Sequence, residues 1–297
     1  MQTNRVRRNR NTFYLPKDVV RDILLRLPVK PFVRLSQGVK SHTMALTSRK
    51  ALDVAVQIAT PEEECGRIGM VGSCNGLVYL YRGWRVDMLW NPITTENKIL
   101  PTPLIDDPTF WNKEIMRVSV GFGYHCNHCN DYKVVRIVYC SDCANVEVYS
   151  TSKGCWRVID SIVPCESKQR TCSVILKEVP YWLGSASGKQ FVLSFDMGKE
   201  VFWQVLVPPD PNRSYKSLGV FNGSLAIIYY PCPEDLVCTF IDFWVMKDDE
   251  SWSKVVRIGP FLGMGFPLGC WEDGVVIWEQ GDYGRLLVYD PITKSVK

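Results

Sequence analysis

The sequence predicts a mainly β protein, with a short helical head followed by a long body of propeller-like sheets. Three observations predict it. Apolar residues recur at helical spacing between residues 15 and 27. From residue 69 onward that spacing gives way to short runs of Val, Ile, Tyr, Phe and Trp between Gly, Asn, Asp and Pro turns. Those runs repeat: anchored on Trp90, Tyr149, Phe195, Val245 and Tyr289, the steps are 59, 46, 50 and 44 residues.

Residues 1–12 read as a disordered basic tail. Arg5, Arg7, Arg8 and Arg10 bring +4 with no acid, which equals the formal net charge of the whole 297-residue chain. The remainder therefore sums to about zero and is not a basic nucleic-acid surface. The Arg cluster suits a nuclear address, a phosphate contact or simply a solvated tail.

The helical head covers residues 13–58. Pro16 suits a first helical turn, and Asp18 favours the positive end of the helix dipole. Val19, Ile23 and Leu27 repeat at i+4 with Val20 and Leu24 beside them, giving one apolar stripe. Pro28 stops this helix. A shorter segment runs from Pro31 to Leu35, and a third helix is expected between Thr43 and Ile58. Residues 59–68, with Pro61-Glu62-Glu63-Glu64, form a linker to the body at 69–297.

In the body, an apolar strand ends on an aromatic or apolar residue, a polar turn follows, and the next strand often opens with Trp. The copies are Met88 to Thr94, Val146 to Trp156, Leu193 to Trp203, Phe243 to Trp252 and Leu287 to Thr293, the first and last sharing Pro-Ile-Thr. A period of about 40–50 residues with several strands per unit is the signature of propeller blades, here about five to six. No blade buries both faces alone, so the phased aromatics are expected to pack blade on blade.

Composition narrows function. Apolar residues make up 46% and charged residues 22%, which excludes wholesale disorder. Apolar runs such as Leu225 to Tyr230 fall far short of the roughly 20 residues of a membrane span. Residues Met1 to Tyr14 lack the apolar core of a signal peptide. The expectation is a cytoplasmic or nuclear protein whose 12 cysteines stay reduced. The sequons at Asn212 and Asn222 then mean only turns.

Cys126-x-x-Cys129 and Cys140-x-x-Cys143, with His125 and His128, resemble zinc ligand spacing. Tyr132 to Tyr139 reads as one strand, however, and eight residues span roughly 26 Å at ~3.3 Å each. The two pairs would lie at opposite ends of it and could not share one ion, and a site from His125, Cys126, His128 and Cys129 alone would crowd four ligands into five residues, so no zinc is expected. Gly263-x-Gly265-x-x-x-Gly269 lacks nucleotide-fingerprint spacing and reads as turns. Asp106-Asp107 and Asp248-Asp249-Glu250 fall in polar turns. No catalytic constellation and no cofactor motif appear.

Leu15-Pro16 followed by Ile23-Leu24-Leu25-Arg26-Leu27-Pro28-Val29-Lys30 resembles the first half of an F-box. The body resembles the plant F-box-associated interaction domain, a kelch-like propeller region. The carrying strings are Gly72 to Val78, Trp90-Asn91-Pro92, Gly121 to Tyr124, Asp131 to Arg136 and Val146 to Ser150, in family order. The second F-box half departs: Gln37-Gly38-Val39-Lys40-Ser41-His42 stands where the family has Cys-Val-Ser-Lys-Ser-Trp. The chain stops at Lys297, soon after a turn that in the family leads into closing strands, so the reading includes a truncated or degenerate copy.

The resemblance implies a non-catalytic substrate receptor of an SCF-type ubiquitin ligase. The adaptor-binding residues would be Leu15, Pro16, Val19, Ile23, Leu24, Leu27, Pro28, Val29 and Leu35. They would hold a Skp-type adaptor and, through it, the cullin, while the propeller holds a target protein. A free interaction propeller without adaptor binding is the alternative. A propeller enzyme would need carboxylates on its inner strands, and the inner-strand candidates here are mostly apolar.

Overall fold

Alternating β-branched and aromatic residues build antiparallel strands throughout the computed structural model. It describes residues 43–47, 54–59, 68–82, 86–91, 94, 96–105, 115–125, 131–141, 143–209, 215–231, 239–261, 266–270, 276–280, 285–290 and 295–296.

A two-stranded hairpin comes first, β1 (Thr43–Thr47) with β2 (Val54–Ala59). This corrects the third helix expected over Thr43 to Ile58. Met44 pairs with Ile58 and Leu46 with Val56, with a bulge after Leu46. Val54, Val56 and Ile58 recur every second residue, a strand period, and their β-branched side chains suit a pleated surface better than a helix.

Five sheets follow. Sheet 1 is β3 (Ile68–Cys74), β4 (Leu77–Arg82), β5 (Val86–Trp90) and β6 (Asn97–Ile99). Sheet 2 is β7 (Ile115–His125), β8 (Asp131–Cys140), β9 (Ala144–Ser150) and β10 (Cys155–Ile159). In sheet 3, β11 (Glu166–Ser167) and β12 (Val174–Leu176) both pair with β13 (Val179–Ala186), which is followed by β14 (Lys189–Asp196) and β15 (Val201–Leu206). Sheet 4 is β16 (Tyr215–Phe221), β17 (Ser224–Tyr230), β18 (Thr239–Met246) and β19 (Trp252–Phe261). Sheet 5 is β20 (Phe266–Cys270), β21 (Val276–Gln280), β22 (Arg285–Asp290) and β23 (Ser295–Val296). Gly269, expected in a turn, lies within β20.

Apart from β11, which pairs with β13 rather than with β12, each sheet is a meander whose neighbours in sequence are neighbours in space, the topology of propeller blades. All five sequence anchors land on the third strand of their sheets: Trp90 on β5, Tyr149 on β9, Phe195 on β14, Val245 on β18 and Tyr289 on β22. Trp90, Tyr149 and Phe195 are fully buried.

The sheets stack in chain order. The first strands and β13 carry the packing: β3 on β7, β7 on β13, β12 and β13 on β16, and β16 on β20. One apolar cluster runs through sheets 1, 2 and 3, with Tyr79, Phe122, Tyr149, Trp182 and Phe195 at its centre. A second joins sheets 3 and 4 through Val192 and Ile227, and a third joins sheets 4 and 5 through Phe243 and Val276. Burying each large side chain stabilises by about 1.5–3 kcal/mol, so stacking is the main cohesive term.

Polar bonds then fix the register between sheets. Val120 on β7 makes a parallel bridge with Thr171 ahead of β12. The Trp of the repeat adds a lock used twice. The Trp156 indole of sheet 2 donates to the Pro101 carbonyl beyond β6 at 2.7 Å, and that of Trp252 in sheet 4 donates to Leu206 at the end of β15 at 2.9 Å.

Candidate protein-interaction surface

In an antiparallel meander the first–second and third–fourth connections share one end, while the second–third connection and the link to the next sheet share the other. These are called the turn end and the crossover end below.

Short turns and internal polar bonds occupy the turn end. Asn75-Gly76 and Asn222-Gly223 each place two consecutive residues at positive φ, the conformation that a two-residue hairpin needs and that Asn-Gly supplies. The Asp131 carboxylate accepts from Ser150 Oγ at 2.7 Å, Thr151 Oγ1 at 3.0 Å and the Ser152 amide at 2.9 Å. Burial pushes this carboxyl up, but those hydrogen bonds outweigh it and hold it below its ordinary range. Lys133 crosses to sheet 3, donating to the Met197 carbonyl at 2.6 Å and to Glu200 at 2.7 Å. Arg157 also pairs with Glu200. Burial raises the Glu200 carboxyl, and the bonds from Arg157 and Lys133 bring it below normal.

Farther inside, Arg136 and Glu147 form a buried ion pair across β8 and β9. The second oxygen of Glu147 accepts the amides of Leu104 at 2.9 Å and Ile105 at 3.3 Å, tying the link after β6 to sheet 2. Arg136 lies 5.7 Å from the Trp156 ring centroid. Both Glu147 oxygens are hydrogen-bonded, and the pair is structural in role.

The crossover end differs. Met116 at the start of β7 is 70% exposed, and Ile162 in the link from sheet 2 to sheet 3 is 87% exposed. Tyr215 at the start of β16 and Phe240 at the start of β18 are also exposed. Charged and aromatic groups lie at the same end of the sheets. Arg117 pairs with Glu166 and lies over the Tyr139 ring, 4.9 Å from its centroid. Tyr215 stacks on Tyr230 at 6.0 Å, and Arg257 lies 5.6 Å from the Phe240 centroid. Asp242 binds Arg257 and Lys254, and the Arg257 bond holds its carboxyl below the usual range. Met, aromatics and Arg with a polar surround is the composition of a protein-docking surface.

The adaptor-binding candidates Leu15, Pro16, Val19, Ile23, Leu24, Leu27, Pro28, Val29 and Leu35 lie outside the described residues. So do Cys126, His128 and Cys129. Strand β8 spans Asp131–Cys140, as the zinc argument required, and sets Cys140 and Cys143 at the crossover end while His125 lies at the turn end. Asp248, Asp249 and Glu250 sit in an exposed turn. Met116, Ile162, Tyr215 and Phe240 were not foreseen, because exposure depends on which end of a stacked sheet a residue occupies. The one local hint was their place next to loops rather than in mid-strand.

Comparison with known proteins places this geometry. Residues 36–282 match the family model described as F-box associated beta propeller domain. An F-box protein of Arabidopsis thaliana is 26% identical over 249 residues, covering 70% of this chain and 65% of the relative. The F-box protein CPR1 of the same plant is 25% identical over 307 residues, covering 82% of this chain and 73% of the relative. The chain thus spans just under two thirds of the first relative and about three quarters of the second. Among solved structures, YjhT is similar over 75% of this chain and 80% of its own, at 11% identity and a TM-score of 0.42.

Proposed function

The chain belongs to the F-box associated beta propeller family, and from that premise we propose that it is the substrate-recognition subunit of an SCF-type ubiquitin ligase. The observation that carries this reading is the family match over residues 36–282, supported by F-box relatives. The propeller-like body holds a target protein, and ubiquitin transfer belongs to other subunits of the complex. Its own chemistry is binding.

Two surfaces divide the work. Leu15, Pro16, Val19, Ile23, Leu24, Leu27, Pro28, Val29 and Leu35 offer an apolar stripe to a Skp-type adaptor and thereby to cullin. The crossover end, with Met116, Ile162, Tyr215 and Phe240, receives the target. Desolvated aromatic and Met anchors ringed by polar groups supply most of the energy in such interfaces. The setting is cytoplasmic or nuclear.

A free interaction propeller is the second reading, and one observation favours it. Strand β1 begins at Thr43, directly after the divergent Gln37 to His42 stretch, so only residues 13–42 remain for the adaptor motif. Affinity purification of the full chain from plant cells, read by quantitative mass spectrometry, separates the two. Adaptor and cullin should accompany the wild type and the Met116→Asp/Ile162→Asp variant equally, while target proteins are lost from the variant. Targets without adaptor or cullin would support the free propeller.

A further inference from the structure

The geometry of the Cys140-x-x-Cys143 motif suits redox chemistry. Cys140 ends β8 and Cys143 immediately precedes β9, so the two flank one hairpin connection. Tyr139 and Ala144 are register partners, and one step outward the Cys140 amide donates to the Cys143 carbonyl at 2.8 Å. Residues paired in this way across antiparallel strands have Cα atoms about 5.5 Å apart and project to the same face. A disulfide needs about 4.4–6.8 Å.

The side chains converge. The amide nitrogen Nδ2 of Asn145 lies 3.4 Å from the Cys143 sulfur and 3.9 Å from the Cys140 sulfur. One donor thus serves both sulfurs and holds them on the same side of the hairpin. Cys143 is half-buried whereas Cys140 is buried. An oxidant therefore reaches Cys143 first, with Cys140 behind it. Cys74, Cys165 and Cys172 are all deeply packed, and burial pushes the Cys74 and Cys165 thiols up to about 12 and about 11.

We propose that Cys140 and Cys143 form a reversible disulfide on exposure to hydroperoxides, a modification site beside the crossover-end surface. The Cys143 thiolate attacks a peroxide oxygen and the O–O bond breaks. Cys143 becomes a sulfenic acid, and the departing oxygen takes a proton to leave as alcohol, or as water from hydrogen peroxide. The Cys140 thiol then attacks the Cys143 sulfur, the S–OH bond breaks, and the departing hydroxide takes the Cys140 proton and leaves as water. Two thiols lose two electrons and two hydrogens, and the peroxide gains them. The position matters because Cys140 pairs with Ile115, next to exposed Met116.

Hydrogen peroxide treatment of the purified full chain, followed by unfolding, alkylation and peptide mass spectrometry, tests this. The peptide carrying Cys140 and Cys143 should be two hydrogens lighter and resist alkylation, and dithiothreitol should restore it. In a Cys140→Ser variant, Cys143 should be trapped as sulfenic acid by dimedone. The proposal is overturned if both cysteines of the oxidised wild type remain alkylatable, or if Cys143 is found bonded to a cysteine other than Cys140.

Discussion

The two ends of the sheets use the same residue types for opposite purposes. At the turn end, charged side chains are consumed internally: Asp131 by three donors, and Glu200 by Lys133 and Arg157. At the crossover end, Met116 and Ile162 point to solvent with no such use. On the proposed function, the contrast separates stability from recognition. Substitutions at inner or turn-end sites should unfold the protein, and those at the crossover end should cost partners while leaving the fold intact.

The largest effect is expected inside sheet 2. Glu147→Ala strands a buried Arg136 and releases the Leu104 and Ile105 amides. Chemical denaturation should show a loss of about 3–5 kcal/mol, as for other broken buried pairs. An unchanged midpoint would mean that the pair does not bind the sheets.

Gly123→Ala sharpens the comparison at the turn end. A Cβ there would collide with the Glu178 carbonyl of the neighbouring sheet and press on Met197. Backbone has to shift, so a loss of roughly 1–3 kcal/mol is expected in the same assay. Tolerance of alanine would show that sheets 2 and 3 are less tightly apposed.

Acid should weaken the turn end selectively. The Asp131 and Glu200 carboxyls lie below their ordinary values of 3.8 and 4.5 in the folded state. Their contribution is complete above those values and is lost as pH falls through the lower, folded ones. Thermal midpoints should therefore drop on acidification below about pH 4, and less steeply in Asp131→Asn. A parallel drop in both proteins would remove Asp131 from the account.

The smallest change in stability is expected at the crossover end. Met116→Asp with Ile162→Asp should alter unfolding by no more than about 0.5 kcal/mol each, being surface changes. Target capture should nevertheless fall roughly tenfold or more if these are interface anchors. Unfolding without altered capture would reverse the assignment of the two ends.

The legibility of the sequence follows the same division. The repeat was readable because packing enforces it: Trp90, Tyr149 and Phe195 are buried at one phase, and the third strand of every sheet carries an anchor. The Tyr132 to Tyr139 strand was readable because β-branched and aromatic residues dominate it, broken only by Lys133 and Arg136, whose charges are paired inside the fold. The stretch from Thr43 to Ile58 was misread as helix, where the alternation of Val54, Val56 and Ile58 outweighs helical spacing. The crossover-end surface was invisible because it is assembled from strand starts and links distant in sequence. Arg136 and Glu147 were likewise hidden, since nothing local marks a charge pair as buried.

The central claim is that this chain is a receptor joined to its ligase by residues 13–42. Calorimetric titration of a purified Skp-type adaptor into the full chain tests it most directly. Ile23, Leu24 and Leu27 keep the first half of the adaptor motif, while Gln37, Gly38 and His42 depart from its second half. Losing a buried Trp costs about 3–5 kcal/mol in cores, and ~1.4 kcal/mol is one decade of affinity. The account predicts saturable binding, roughly a hundredfold weaker than for an intact F-box and abolished by Leu24→Asp. No binding, or binding indifferent to Leu24→Asp, would contradict it.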